Sequence, residues 1–163
     1  MTLYIDTTSG THISIALAKE ATVLAHKKIK AQYKQSEKLL VEINKMVSET
    51  SKRFPKPLKV QKNVDLKSIQ GIVVVNGLGP FTATRIGVAT ANAFSYALNI
   101  KIASLRTDEF ATIEEMVMKG WEKLKKIPKK SPPRSLRGGI EPVYDREPNI
   151  TMPINAKRQV HSA

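Results

Sequence analysis

Gly71-Ile72-Val73-Val74-Val75-Asn76-Gly77-Leu78-Gly79-Pro80-Phe81-Thr82-Ala83-Thr84-Arg85-Ile86-Gly87, continued by residues 88–98, is the stretch whose reading decides the fold. Residues 72–75 are an unbroken β-branched run, the pattern of a central strand covered on both faces. Asn76, Gly77, Gly79 and Pro80 then force a turn, because glycine permits backbone conformations that other residues avoid. A helix follows. Thr82 is placed to cap its first turn, and Gly87, Ala89, Ala91, Ala93 and Ala97 offer small residues for close packing on a sheet. Strand, glycine turn and small-residue helix make one parallel α/β unit. Gly77 and Gly79 either cradle a phosphate at the helix N-terminus or only permit a tight strand-to-helix crossing. Spacing alone favours the crossing, since isolated glycine patterns are common.

Upstream, residues 3–6 read as a short strand ending in the hydroxyl-rich turn Asp6-Thr7-Thr8-Ser9-Gly10-Thr11. Residues 12–18 alternate, with Ile13, Ile15 and Leu17 on one face, and residues 21–28 follow the Lys19-Glu20 turn. These three segments predict an antiparallel meander. Residues 35–50 predict a helix whose apolar stripe is Leu39, Leu40, Ile43, Met46 and Val47. Residues 51–67, with two prolines and a basic bias, read as a solvated, mobile loop. Downstream, residues 101–105 form a further strand. Thr107 or Asp108 then opens a helix with Phe110, Ile113, Val117, Trp121 and Leu124 on its stripe. The sum is an α/β, five-strand mixed sheet of order 3-2-1-4-5 with helices on both faces, consistent with right-handed crossovers. That is the ribonuclease H-like architecture shared with the actin-like (ASKHA) group.

A chain of 163 residues, 41% of them hydrophobic, suits one core, assigned here to residues 1–124. Composition changes after Lys125: residues 125–139 are a basic, proline-containing linker, and residues 140–163 an extended tail that Pro142, Pro148 and Pro153 keep from forming a regular helix. Formal charge is +13. That balance favours an acidic partner, with nucleic acid foremost. There are no cysteines, which excludes disulfides and thiolate metal sites. No segment approaches the roughly 20 apolar residues of a membrane span, and the N-terminus reads as a strand rather than a signal peptide.

Three kinds of chemistry are open to these residues. Asp6 and the turn after it could hold magnesium and nucleotide phosphates, as in actin-like kinases, although the turn lacks a glycine pair and the chain lacks a second domain of similar size. A self-bonded hydroxyl turn is the simpler reading. A two-metal nuclease would need carboxylates converging on Asp6, and Glu20, Asp65 and Asp108 fall elsewhere. His12, His26 and His161 have no ligand spacing. Arg85 stands in the first turn of a helix, against the helix dipole, and so calls for an anionic partner, either Asp6 or a ligand.

Residues 3–8, 35–40, 65–72 and 77–87 together resemble the TsaB (YeaZ) family, the accessory subunit for threonylcarbamoyladenosine synthesis on tRNA. The family's hallmark Gly-Pro-Gly-Ser-Phe-Thr-Gly-Leu-Arg-Ile-Gly corresponds to Gly77-Leu78-Gly79-Pro80-Phe81-Thr82-Ala83-Thr84-Arg85-Ile86-Gly87. Glu141-Pro142-Val143-Tyr144-Asp145-Arg146 is similar to its C-terminal Pro-x-Tyr-x-Arg segment. Gln35 stands where a histidine is usual, and most of the family's second half-domain has no counterpart.

The resemblance implies a cytoplasmic, non-catalytic scaffold that binds no cofactor or metal alone and pairs with a TsaD-type carbamoyltransferase acting on adenosine 37 of tRNA. The alternative is an ATP-binding or hydrolysing enzyme of the same superfold. The implied partner interface is Ser36, Glu37, Leu39, Leu40, Ile43, Met46 and Val47. Asp6, Gly77, Gly79, Thr82 and Arg85 are the expected shared-site or structural residues. Lys123, Lys125, Lys126, Lys129, Lys130, Arg134 and Arg137 are the expected tRNA contacts. A TsaE-type ATPase and a homodimer complete the partners considered, with no membrane.

Overall fold

The computed structural model describes residues 1–53, 66–128 and 139–144. Strands β1 (Thr2–Asp6), β2 (His12–Lys19) and β3 (Thr22–Lys30) form an antiparallel meander, and β4 (Gly71–Val75) and β5 (Lys101–Leu105) extend the sheet parallel to β1. The order is β3-β2-β1-β4-β5, the ribonuclease H-like arrangement expected from the sequence. Helices α1 (Gln35–Arg53), α2 (Phe81–Leu98) and α3 (Ile113–Lys125) cover the sheet.

Successive strand residues point to opposite faces, and that alternation builds two cores from one sheet. Leu3, Ile5, Ile15, Ile72, Val74 and Ile102 pack with Leu39, Ile43, Met46 and Val47 of α1 and with Val88 and Ala91 of α2. Tyr4, Ala16, Val73, Val75, Ala103 and Leu105 pack with Met116, Val117 and Leu124 of α3. β4 is buried along its whole length because both faces are roofed. Tyr4 keeps its hydroxyl satisfied in the second core by donating to the Val117 carbonyl at 3.0 Å, and burial pushes its pKa up.

Helical spacing divides the expected α1 stripe. Leu39, Ile43, Met46 and Val47 are buried, whereas Leu40, one residue on and so rotated about 100° around the axis, is 54% exposed. Val41 beside it is 50% exposed. Four of the five apolar residues expected at a partner surface are thus committed to this chain's own core. α1 also runs to Arg53, past the expected end at 50, and residues 66–68 form a 3-10 turn. The rest of the expected loop lies outside the described residues.

Two further expectations are corrected. Helix α2 begins at Phe81 after Pro80, with no side-chain cap, so exposed Thr82 lies inside the first turn and caps nothing. Its sheet-facing residues are Ala83, Thr84, Gly87, Val88, Ala91 and Ser95, while Ala89, Ala93 and Ala97 are exposed. Helix α3 begins at Ile113 rather than near Thr107. Thr112 caps it by accepting from the Glu115 amide at 3.2 Å, and residues 107–109 are a separate 3-10 turn. Lys123 ties that turn to α3 through a 2.6 Å ion pair with Glu109. Partial burial of the Glu109 carboxyl works to raise its pKa, but the hydrogen bonds from Lys123 and the Arg106 amide and the two nearby cations outweigh it, leaving the pKa below its ordinary value.

The split of α1 generates a prediction. Ile43→Ala should cost about 2–5 kcal/mol in urea unfolding, as large-to-small changes in a packed core do. Leu40→Ala should stay within about 0.5 kcal/mol, as for a surface change.

Candidate functional site

The carboxyl ends of β1 and β4 meet two turns and one strap. In the β1–β2 turn, Asp6 Oδ1 accepts from the Thr8 amide at 2.9 Å and from Thr8 Oγ1 at 2.6 Å. Thr7 Oγ1 donates to the Ala83 carbonyl at 2.6 Å, fastening this turn to α2. Ser9, Thr11 and His12 continue the chain of side-chain hydrogen bonds. The turn bonds with itself, as hydroxyl and carboxylate side chains beside a bend do.

The second turn leaves β4 through Asn76 and Gly77. A Cβ at Gly79 would stand 2.6 Å from the Thr8 carbonyl oxygen and 2.7 Å from Thr8 Cβ, and one at Gly77 would run into the Val143 backbone. Both glycines permit close approach of protein to protein. The tight crossing, rather than a phosphate cradle, is therefore what they serve. Asp6 Oδ1 is bonded to Thr8, and both glycines pack against this chain. Among the described residues no three His, Cys, Asp or Glu side chains group as metal ligands. His12 bonds Thr11, His26 bonds Ser14, and His161 lies outside the described residues.

The strap is residues 139–144, an extended segment lying across α2 and the β4 turn. Asn92 clasps Ile140 from both sides, its Nδ2 donating to the carbonyl and its Oδ1 accepting from the amide, each at 2.9 Å. Ile140 is buried against the first core. Asn76 Nδ2 donates to the Glu141 carbonyl at 2.9 Å, and the Val143 amide donates to the Asn76 carbonyl at 2.6 Å. The start of the expected tail is thus extended, as proline predicts, and residues 145–163 lie outside the described residues.

Arg85 takes its place in this strap. Its Nε donates to the Tyr144 hydroxyl at 2.7 Å, and its guanidinium carbon stands 3.8 Å from the Phe81 ring centroid. Phe81 and Tyr144 stack with centroids 4.7 Å apart. The quadrupoles of two rings answer the cation that the helix dipole disfavours. The expected pairing of Arg85 with Asp6 is replaced by this aromatic one.

The remaining expected site residues are dispersed. Ser36 and Glu37 are exposed at the start of α1, on the side that carries Leu40. Lys125 and Lys126 are exposed at the end of α3, with Lys125 Nζ 5.9 Å from the Trp121 ring centroid. Lys123 is engaged by Glu109 and by the Ser104 carbonyl, at 3.1 Å. Lys129, Lys130, Arg134 and Arg137 lie outside the described residues.

Sequence reasoning missed Asn76, Asn92 and Gln35 as organisers. Gln35 is buried and its Nε2 donates to the Gly10 carbonyl, while a Cβ on Gly10 would stand 2.9 Å from Pro80 Cγ. The starts of α1 and α2 therefore meet at one corner. A carboxamide within an alanine-rich helix, Asn92, was the one signal that an outside segment docks there.

Residues 48–120 match the family model described as TsaD: tRNA N6-adenosine threonylcarbamoyltransferase. Two solved structures from Pseudomonas aeruginosa share the fold. One, described as an uncharacterized protein with similarity to peptidase YEAZ, superimposes with a TM-score of 0.53 at 20% identity, over 64% of this chain and 42% of that one. The other, YeaZ, gives 0.52 at 20% identity, over 64% and 44%. The chain shares the fold of these YeaZ-type structures. The match spans less than half the length of either YeaZ-type structure. No curated protein matches this chain in sequence. No helix among the described residues is long and apolar enough to cross a membrane.

Asn92→Ala removes both clasps on Ile140, each worth about 1 kcal/mol. Amide exchange at Val143 should accelerate by at least tenfold in this variant, with exchange in β1 unchanged.

Proposed function

We propose that the chain is a non-catalytic scaffold that pairs with a TsaD-type carbamoyltransferase in threonylcarbamoylation of adenosine 37 in tRNA. The observation that carries this reading is the outer side of α1. Tyr33 just before the helix is 90% exposed, and Leu40 and Val41 lie half-exposed beyond Ser36 and Glu37. Large apolar side chains with a polar rim are what an interface core uses, with an aromatic residue as anchor. Exposed Phe81 stands at the start of α2, at the corner where the two helices begin. The partner surface proposed is therefore Tyr33, Ser36, Glu37, Leu40 and Val41, with the buried stripe behind it as support.

The similarity to a TsaD family model and to YeaZ supports a place in tRNA modification. Phosphate chemistry needs preorganised positive charge and bound metal in a water-poor cleft. Asp6, spent on Thr8, and Arg85, spent on Tyr144 and Phe81, support a role without it. A TsaE-type ATPase and tRNA join through the assembled complex in this reading, in the cytoplasm, and self-pairing through the same α1 surface is the homodimer form. Lys125 and Lys126 remain available for phosphate contact in that complex.

Leu40→Glu with Val41→Glu should leave the melting temperature within about 2 °C, as surface changes do, while co-purification with the host's TsaD-type homologue falls at least tenfold. Undiminished pairing would place the interface elsewhere. The purified chain should turn over no ATP above a buffer control; turnover abolished by Asp6→Asn would establish the actin-like enzyme instead.

A further inference from the structure

The end of the sheet opposite the strap carries a groove that the scaffold role does not use. Thr2, Gly71 and Lys101 are register partners across β1, β4 and β5 and form its floor. Strands lie about 4.8 Å apart, so this row spans about 10 Å. One wall is the hairpin tip at Lys19 and Glu20; the other is Trp121, Leu124 and Lys125 of α3 with Ile127 and Pro128 after it. Gly71 keeps the floor low: a Cβ there would stand 3.1 Å from Leu124 Cδ1. Lys101 Nζ donates to the Ile127 carbonyl and so draws the second wall over the sheet. The cavity is about 510 Å³, within the size range of ligand clefts.

Its chemistry is asymmetric. Three lysines, Lys19, Lys101 and Lys125, line it together with one carboxylate, Glu20, and the half-buried indole of Trp121. Lys125 Nζ stands 5.9 Å from the Trp121 centroid, at the outer reach of a cation–π contact, so it can turn to another anion at little cost. An aromatic face beside a row of cations is the pairing by which proteins hold unpaired nucleotides, the base stacking and the phosphates meeting the charges. The chain's net +13 draws such an anion toward it.

We propose that this groove is a nucleotide site, in which an unpaired base stacks on Trp121 and its phosphates lie on Lys19, Lys101 and Lys125. Its occupant is a single-stranded RNA segment. The site lies at the far end of the sheet from the proposed α1 interface and stands independently of the pairing reading.

Trp121 is the sole tryptophan, so its emission reports occupancy directly. The full chain is titrated with an adenosine RNA octamer, with AMP and with an RNA duplex. The octamer should quench Trp121 emission, with an affinity that falls roughly as the second power of salt concentration, as about three phosphate contacts to a single strand imply. Lys19→Glu with Lys125→Glu should weaken the octamer at least tenfold, and Lys34→Glu, exposed at the other end of the molecule, less than twofold. AMP should bind at least tenfold more weakly; equal affinity for AMP would make a free nucleotide the occupant of the same site. Octamer binding, followed by the polarisation of a labelled strand, that leaves Trp121 emission unchanged and survives the double reversal would overturn the proposal. So would duplex RNA binding as tightly as the octamer.

Discussion

Asn76, at the end of β4, has its amide, its carbonyl and its side-chain Nδ2 committed to two other segments of the chain: the Leu105 carbonyl on β5, the Val143 amide and the Glu141 carbonyl on the strap. Around it, Gly77 accepts from the Thr107 amide and Leu78 donates to Thr107 Oγ1. Asn76 and the two residues after it thus join the central strand, β5, the loop after β5 and the strap. Leaving a buried group of this kind unpaired costs about 1–3 kcal/mol each, so the three contacts stand or fall together. Ligands of open α/β sheets bind outside the carboxyl ends of the strands, where the strand order reverses. In this molecule that place is filled by the chain's own backbone.

The filling has a consequence for chemistry. A catalytic crevice keeps charged groups unpaired and pointed at the substrate; here Asp6 accepts twice from Thr8, and Arg85 is laid over Phe81 and bonded to Tyr144. Arg85 does work, but structural work: it clamps the strap to the first turn of α2. Among the described residues, the outside of α1 and the basic groove at the opposite end of the sheet stay open to other molecules.

Much of this was legible in the sequence, and what was not has physical reasons. The two-sided burial of residues 72–75 and the alternation in residues 12–18 give strands, and the glycine turn between β4 and α2 sets a parallel crossover; strand order follows. The side of α1 that faces outward was not legible, because Leu39 and Leu40 are adjacent and only the packed sheet decides which is buried. The start of α3 was misplaced because Thr107 and Thr112 both offer a capping hydroxyl five residues apart. Thr107 is taken by Leu78, and that long-range bond leaves Thr112 as the cap. The partner of Arg85 was hidden because it is uncharged: the helix dipole argument points to an anion such as Asp6, whereas the hydroxyl and ring that meet Arg85 come from Tyr144, 59 residues away. At Gly77 the segment that packs against the turn, the strap, could not be seen from spacing.

The central claim is that partners bind the outer side of α1 while the carboxyl end of the sheet stays closed on itself. Hydrogen–deuterium exchange of this chain, alone, with ATP and magnesium, and co-expressed with the proposed TsaD-type partner, tests both halves at once. The account predicts new protection over residues 33–41 in the complex, and no change over residues 76–80 or 139–144 on adding ATP. Protection over residues 76–80 with ATP, or none over residues 33–41 in the complex, would contradict it.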